Sequence, residues 1–340
     1  MRAGNSLIVS IVIPCRNEEH YIQACVDSML CQDYPNIEVL VCDGMSDDGT
    51  REVLSKYKDN PRVRVLDNEA RVTPIALNMG IQNAVGEIII IFGAHATMNV
   101  DYVSKSVSTF DIDDKIGCVG GILNQVNENE DAAVISKAMS SVFGVGNAHF
   151  RTGTKSGFVD TVAFGAYKKE VFEKVGLFDN DLVRNQDDEF NFRVLKGGFK
   201  IYLNPEIQAD YYVRGDFQKL WRQYYQYGYW KVYVNRKHRT ITTIRQLIPA
   251  LMVSCFGLTF LLAFFVSVFW NLLILESFVY LLASGYFAEK KVGFNKSIWG
   301  VMKSFIVLHF SYGSGYLKGI FDFLILNKKQ VNQNAQKLSR

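Results

Sequence analysis

The sequence has no Cys-x-x-Cys pair, no His-Glu-x-x-His, no Gly-x-x-x-x-Gly-Lys-Ser/Thr loop and no Gly-x-Gly-x-x-Gly after a strand. The local signatures of metalloproteases, P-loop proteins and dinucleotide binders are therefore missing. Net charge is also scarce. Lys and Arg number 37 against 34 Asp and Glu, a formal balance of +3, so composition makes no case for nucleic acid. The six cysteines stand singly and read as reduced core thiols of a cytosolic domain. Met1 to Ser10 lacks a long apolar stretch and is not a signal peptide, so the front of the chain is expected to stay in the cytosol.

Charge is absent altogether from Leu247 to Phe269, a stretch long enough to cross a bilayer core. Asn271 to Phe287 has one charged residue, Glu276. Ser297 to Leu326 is apolar too, but it carries Lys303, His309, Lys318 and Asp322 and reads equally as a span or as a re-entrant or interfacial helix. Basic clusters flank the first two: Arg236, Lys237, Arg239 and Arg245 before, Lys290, Lys291 and Lys296 after. A third, Lys328, Lys329, Lys337 and Arg340, lies in the tail. All three favour the cytoplasmic side, which predicts a two-helix hairpin. The expected location is the cell inner membrane, multi-pass, with the catalytic domain in the cytoplasm.

The first half alternates strand and helix patterns. Leu7 to Pro14 reads as a strand, and Glu18 to Gln32 as a helix with one apolar stripe and Asn17 as its N-cap. Strands follow at 37–42, 62–66 and 87–92, with helices at 50–58 and 73–85 between them. That rhythm predicts an α/β fold: a mostly parallel sheet with helices on both faces. Later, 159–167 and 199–203 read as strands, and 169–175, 186–195 and 217–234 as helices.

Polar residues gather just past the strands, where open α/β sheets place their chemistry. Pro14, Arg16 and Glu18 follow the first strand, and Asp43 follows the second. An acid there can hold a nucleotide's base or ribose, although Asp43-Gly44 also suits an ordinary turn. The cluster "RNQDDEFNFRVLKGG" puts Asp187, Asp188 and Glu189 at a helix start, where the helix dipole favours anions. Consecutive residues point in different directions, so only one can serve as a general base in a given site. The helix "WRQYYQYGYWK" suits a membrane interface, with Arg222 and Lys231 among its aromatics.

"VSIVIPCRNEEHYIQACVDSMLCQDYPNIEVLVCDGMSDDGT" resembles the opening of the family-2 glycosyltransferases, which have the GT-A fold, Rossmann-like with a mixed sheet. "VDTVAFGAYKKEVFEKVGLFDNDLVRNQDDEFNFRVLKGGFKIYLNP" is similar to the bacterial exopolysaccharide branch, which includes the succinoglycan-biosynthesis glucosyltransferase and carries C-terminal membrane helices. The resemblance implies a nucleotide-sugar donor held by Pro14, Arg16, Glu18 and Asp43, with Arg71 and Asn78 on the donor side. It implies Asp187 as the catalytic base, with Gln186 standing where the family has Glu. It places Asp160, Asp188, Arg193, Arg222, Gln223 and Tyr227 on the substrate side. No Gln-x-x-Arg-Trp signature of processive synthases is present, which implies addition of one sugar.

The wider family binds Mn²⁺ or Mg²⁺ through an Asp-x-Asp loop after the buried strand. Here that loop reads Gly93-Ala94-His95. In the exopolysaccharide branch the expected form is Asp-Ala-His, so Gly93 is the departure and His95 the remaining metal residue. Three arrangements are consistent with it: a cation held by phosphates and His95, a metal-free site using Arg16 or Arg71, or an inactive relative. The expected activity is inverting transfer from a UDP-sugar to a membrane lipid-linked saccharide in exopolysaccharide or cell-surface glycan synthesis. The alternatives are a polyprenyl-phosphate glycosyltransferase and a non-catalytic membrane partner. The expected organisation is a catalytic domain at 1–215, an interfacial acceptor-side helix at 216–245, a membrane region at 246–326 and a basic tail at 327–340.

Overall fold

Val9, Ile11, Val12 and Ile13 have no solvent exposure at all, because their strand is covered on both faces. Each buried aliphatic side chain contributes roughly 1.5–3 kcal/mol, which makes this strand the anchor of the sheet. The computed structural model describes residues 7–146, 155–213, 215–242 and 244–328. The chain divides into two compact units, residues 1–126 with 149–212, and residues 127–148 with 213–340.

The first unit is built on a nine-stranded sheet. Its strands are β1 (Val9–Cys15), β2 (Ile37–Asp43), β3 (Val63–Asp67), β4 (Ile88–Ile91), β5 (Ala96–Met98), β6 (Ile116–Asn127), β7 (Gly157–Val159), β8 (Ala163–Lys168) and β9 (Lys200–Val213). The order is β3-β2-β1-β4-β8-β6-β9-β5, with β7 beside β9. β3, β2, β1 and β4 are parallel, as the alternating pattern predicts, while β8 runs antiparallel to β4. Helices α1 (Ile22–Leu30), α2 (Thr50–Ser55) and α3 (Thr73–Asn83) make the crossovers, and α4 (Tyr102–Thr109) follows β5. Two buried clusters cover the two faces of the sheet.

The structure differs from the sequence pattern at several points. α1 starts at Ile22 and not at Glu18, and Tyr21 holds the cap position. Asn17 is not the N-cap: it lies at φ +53, and its side chain pairs with Asp47 across the β2–α2 turn. The segment 159–167 is two strands, because Asp160 to Val162 turn the chain between β7 and β8. Strands β5 and β6 and helix α4 have no counterpart in the pattern reading, for their apolar residues follow no clean period.

The second unit is helical. It holds α5 (Glu130–Met139) and α6 (Val142–Val145), then α9 (Phe217–His238), α10 (Ile248–Ala263), α11 (Val268–Val292) and α12 (Ser297–Gly319). Between the units' segments, the first unit adds α7 (Lys169–Val175) and α8 (Gln186–Lys196). Residues 244–263 and α11, 20 and 25 residues long, are long and apolar enough to cross a membrane. Their apolar side chains face outward, with Leu251 67% and Ile274 66% exposed, which a soluble core helix does not show. α12 is different. It buries Val301, Phe305, Leu308 and Tyr316, and its glycines let neighbouring backbones approach. A Cβ on Gly315 would lie 2.0 Å from the Tyr225 carbonyl, and one on Gly228 the same distance from that of Tyr312. α12 is therefore packed within this unit, unlike the outward-facing residues 244–263 and α11.

Candidate active site

Parallel strands β1, β2, β3 and β4 end on one edge, and the register pairs Cys15 with Asp43 and Asp43 with Asp67. Arg16, Asp43, Arg71 and the Gly93–His95 loop all follow those ends. β8 joins the same edge. It pairs antiparallel with β4, so Thr161 to Ala163 lie where β4 finishes.

Asp43 is completely buried. One oxygen accepts hydrogen bonds from the Ser46 amide (3.1 Å) and from Arg51 Nη1 (3.0 Å), and the other accepts from the Ser46 hydroxyl. Arg51 Nη2 also donates to Asp67 Oδ1 at 2.8 Å. Arg51 thus bridges the ends of β2 and β3 and offsets the burial of the Asp43 charge. Neither Arg51 nor Asp67 is visible as a site residue in the sequence, because an Arg in the first turn of a helix has many surface uses. Arg16 packs its stem on Gly44, where a Cβ would lie 3.2 Å away, and its buried Nε makes no hydrogen bond. Arg71 is exposed, at φ +59, two residues before α3.

His95 lies against the Tyr211 ring, with centroids 5.0 Å apart. Its Nδ1 is buried without a hydrogen bond and sits 3.6 Å from Glu18 Oε1. Gly93 is closed off differently. A Cβ there would meet Phe164 Cε1 at 2.9 Å, so the Phe164 ring occupies the space that a side chain at position 93 would need. Phe164 itself is at φ +50, a region that disfavours side chains by roughly 1–2 kcal/mol, and its ring packs at a tilt against Phe92, with centroids 4.4 Å apart. Gly93 and Phe164 therefore form a matched pair. Among the described residues no three His, Cys, Asp or Glu side chains converge as a metal shell.

The acidic run of α8 fans out as helical geometry requires. Asp187 is exposed, Asp188 half-buried and Glu189 fully buried. Gln186 opens the helix, and Asp187 Oδ1 accepts from the Asp188 amide at 2.9 Å. One turn on, Asn191 shares the Asp187 face. Its amide donates to Thr161 Oγ1 (2.9 Å), and its oxygen accepts from the Tyr167 hydroxyl (2.9 Å). Burial above all, then Cys118 and Asp187, holds the Tyr167 phenol well above its ordinary value, so it stays a donor. These bonds draw the Asp187 face to the edge that carries His95, and exposed Asp160 precedes Thr161 on that edge.

One expected donor-side residue, Asn78, and one expected substrate-side residue, Arg193, are turned to the protein itself. Asn78 donates to the Phe178 carbonyl and to Asn180 Oδ1, both at 2.8 Å, and accepts from the Phe178 amide at 2.9 Å. Arg193 pairs with Glu189 at 2.9 Å and donates to the Val175 and Leu177 carbonyls. Both therefore fix the segment leading to Asp187. Arg222, Gln223 and Tyr227 lie on α9 in the second unit, where Gln223 Nε2 donates to the Tyr227 hydroxyl at 2.8 Å.

Comparison with known proteins identifies the family and the fold. Residues 10–176 match glycosyl transferase family 2. A Methanococcus voltae protein, dolichyl N-acetyl-alpha-D-glucosaminyl phosphate 3-beta-D-2,3-diacetamido-2,3-dideoxy-beta-D-glucuronosyltransferase, is 38% identical over 67% of this chain and 74% of its own. Succinoglycan biosynthesis protein ExoA of Rhizobium meliloti (strain 1021) is 28% identical over 92% of this chain and 95% of its own. The solved mannosyltransferase PcManGT of Pyrobaculum calidifontis, in complex with GDP-Man and Mn²⁺, shares the fold. It aligns with a TM-score of 0.63 at 18% identity, over 93% of this chain and 88% of its own. The chain belongs to glycosyl transferase family 2 and is a glycosyltransferase with a GT-A fold.

Proposed function

We propose that the protein moves one sugar from a UDP-sugar to a lipid-linked saccharide at a membrane, with inversion. One observation carries the reading. Asp187 is an exposed carboxylate one helical turn before Asn191, whose amide bonds Thr161 on the sheet edge that holds buried Asp43 and half-buried His95. Such an edge is where open α/β sheets bind nucleotides.

In this mechanism Asp187 accepts the proton of the acceptor hydroxyl. The freed oxygen bonds to the anomeric carbon as the bond from that carbon to the diphosphate breaks on the opposite face. Charge builds on the diphosphate, and Arg16 and Arg71 stand on that edge to balance it. Pro14, Glu18 and Asp43 bound the nucleotide pocket, with Asp43 held in place by Arg51. Gln186, Asp188 and Asp160 flank the base on the acceptor side. Asn78 and Arg193 act as positioning residues.

A divalent cation fits the remaining groups in a limited way. The buried Nδ1 of His95, which makes no hydrogen bond, and the Glu18 carboxylate 3.6 Å away would hold such a cation together with donor phosphates. An imidazole suits Mn²⁺ better than Mg²⁺. When bound there, the cation would supply positive charge to the leaving diphosphate.

The lipid-linked acceptor is supported by the outward apolar faces of α10 and α11 and by the dolichyl-linked substrate in the name of the Methanococcus relative. The exopolysaccharide role is supported by the ExoA likeness. The same hairpin supports an inner-membrane, multi-pass location with the first unit in the cytoplasm. The test is transfer from a panel of labelled nucleotide sugars to host membrane lipids, with Mn²⁺, with Mg²⁺ and with EDTA, alongside Mn²⁺ binding by electron paramagnetic resonance. The reading expects a UDP-sugar to be used, transfer to cease in EDTA, and His95→Ala to weaken Mn²⁺ binding in the presence of UDP. Transfer that survives EDTA overturns the cation and leaves the arginines as the counter-charge. No transfer from any donor overturns the enzyme assignment.

A further inference from the structure

Helix α9 and the first half of α12 enclose a groove of about 590 Å³ in the second unit. That is the size range of small-molecule sites, roughly 300–1,000 Å³. Phe217, Trp221, Tyr225 and Val307 make its walls apolar, and Arg222, Gln218 and Gln226 supply the polar atoms. Trp221 leaves 41% of its surface exposed at the site, which a packing role alone does not require. Cations stand at the rim. Arg222 lines the groove, and Lys303 Nζ lies 4.0 Å from the centre of the Phe217 ring, one helical turn from Val307. Asp216 lies at the start of α9, where its carboxylate caps the helix by accepting from the Gln218 and Lys219 amides, and Gly215 beside it accepts from Asn129, which stands between Glu128 and Glu130.

The groove is continuous with the apolar hairpin through α12. Gly313 of α12 packs on Pro249 and Val253 of α10, and His309 Nδ1 shares a 2.9 Å hydrogen bond with the Tyr280 hydroxyl of α11. The second wall of the groove is thus the helix on which both outward-facing apolar helices rest. An occupant must be apolar along its length and anionic at one end. A water-soluble glycan meets neither demand, and a peptide would leave backbone amides unpaired on the apolar wall.

We propose that this groove holds the first isoprene units of a polyprenyl-phosphate carrier, with its phosphate between Arg222 and Lys303. This deepens the lipid-acceptor reading and rests on it. The aromatic walls match an unsaturated hydrocarbon chain, and the guanidinium and ammonium match a phosphate. Carrier recognition then belongs to the second unit, while the sugar chemistry belongs to the first.

The test uses the full-length protein in nanodiscs containing a small fraction of diazirine-labelled polyprenyl phosphate, with labelled phosphatidylglycerol as the comparison lipid. Labelled peptides are mapped by mass spectrometry, and sugar transfer is measured on the same preparation. The proposal expects polyprenyl label on residues 217–226 and 303–307, displaced by unlabelled polyprenyl phosphate and not by phospholipid. Val307→Phe fills the groove and should cut that labelling about tenfold, equivalent to about 1.4 kcal/mol, with nucleotide binding retained. Arg222→Gln should raise the apparent KM for the lipid acceptor with little change in kcat. Label confined to other segments, or equal labelling by phosphatidylglycerol, overturns the groove as a carrier site. Unchanged labelling in folded Val307→Phe does the same. Transfer to lipid without groove labelling overturns this proposal and leaves the acceptor reading standing. Transfer to soluble glycans alone overturns both.

Discussion

Asn78→Asp separates two roles that the same residue can play. The resemblance puts Asn78 at the donor, whereas its amide joins α3 to the loop at 178–180 through three hydrogen bonds of 2.8–2.9 Å. Aspartate keeps the shape and can still accept from the Phe178 amide. It cannot donate to the Phe178 carbonyl or to Asn180 Oδ1, and it faces both acceptors with a charge. Asn78 is 8% exposed, so water does not replace the lost bonds. Two lost bonds at about 1 kcal/mol each, plus an unsatisfied carbonyl, give about 3 kcal/mol. For a unit of this size that lowers the melting temperature by roughly 6–12 °C. Thermal unfolding of the full chain in detergent measures it, with donor KM and kcat taken below the transition. The clamp predicts lower stability and lower kcat with donor KM nearly unchanged. Native stability with a large rise in donor KM would refute it and return Asn78 to the donor.

Arg51→Met should lower stability by about 1–3 kcal/mol and weaken UDP binding about tenfold, because Asp43 keeps only the Ser46 donors; isothermal calorimetry that finds unchanged affinity would remove Asp43 from the nucleotide pocket. Asp216→Ala should destabilise α9 by about 1 kcal/mol. Hydrogen bonds from the Lys219 and Gln218 amides hold the Asp216 carboxyl below its usual value. Its contribution is thus present above the unfolded carboxylate pKa and is lost as pH falls through the lowered one. Chemical denaturation of wild type and variant should therefore differ at pH 7 and converge in acid.

The parallel half of the sheet was legible because β1, β2 and β4 are short apolar runs closed by turn residues, and burial on both faces demands that pattern. The antiparallel half was legible only in part: 159–167 covered β8 and 199–203 found the start of β9, while β5, β6 and the length of β9 were missed. β9 spans Lys200–Val213 with Pro205 and Glu206 inside it, and β6 carries paired glycines, Gly120 and Gly121. A Cβ on Gly121 would lie 1.8 Å from the Ile207 carbonyl, so those glycines serve strand contact and read as loop. At the site, Asp43 and His95 stood out because each closes or follows a readable strand, and Asp187 because it opens a readable helix. Arg51, Phe164 and Asn191 were hidden, since their roles depend on partners 8 to 71 residues away in sequence, Arg51 on Asp43 and Phe164 on Gly93. Gly93 looked like a simple loss of a ligand. The Phe164 ring fills the space beside it, which sequence position alone does not reveal.

The most direct test of the account compares wild type with Asp187→Asn, using the donor identified by the panel, native membrane lipids as acceptor, and UDP affinity measured on the same samples. The account predicts that transfer is abolished while UDP binding and folding are retained, because Asp187 is exposed and engages the acceptor proton. Transfer that persists near the wild-type rate, or UDP binding that disappears with it, would contradict Asp187 as the base.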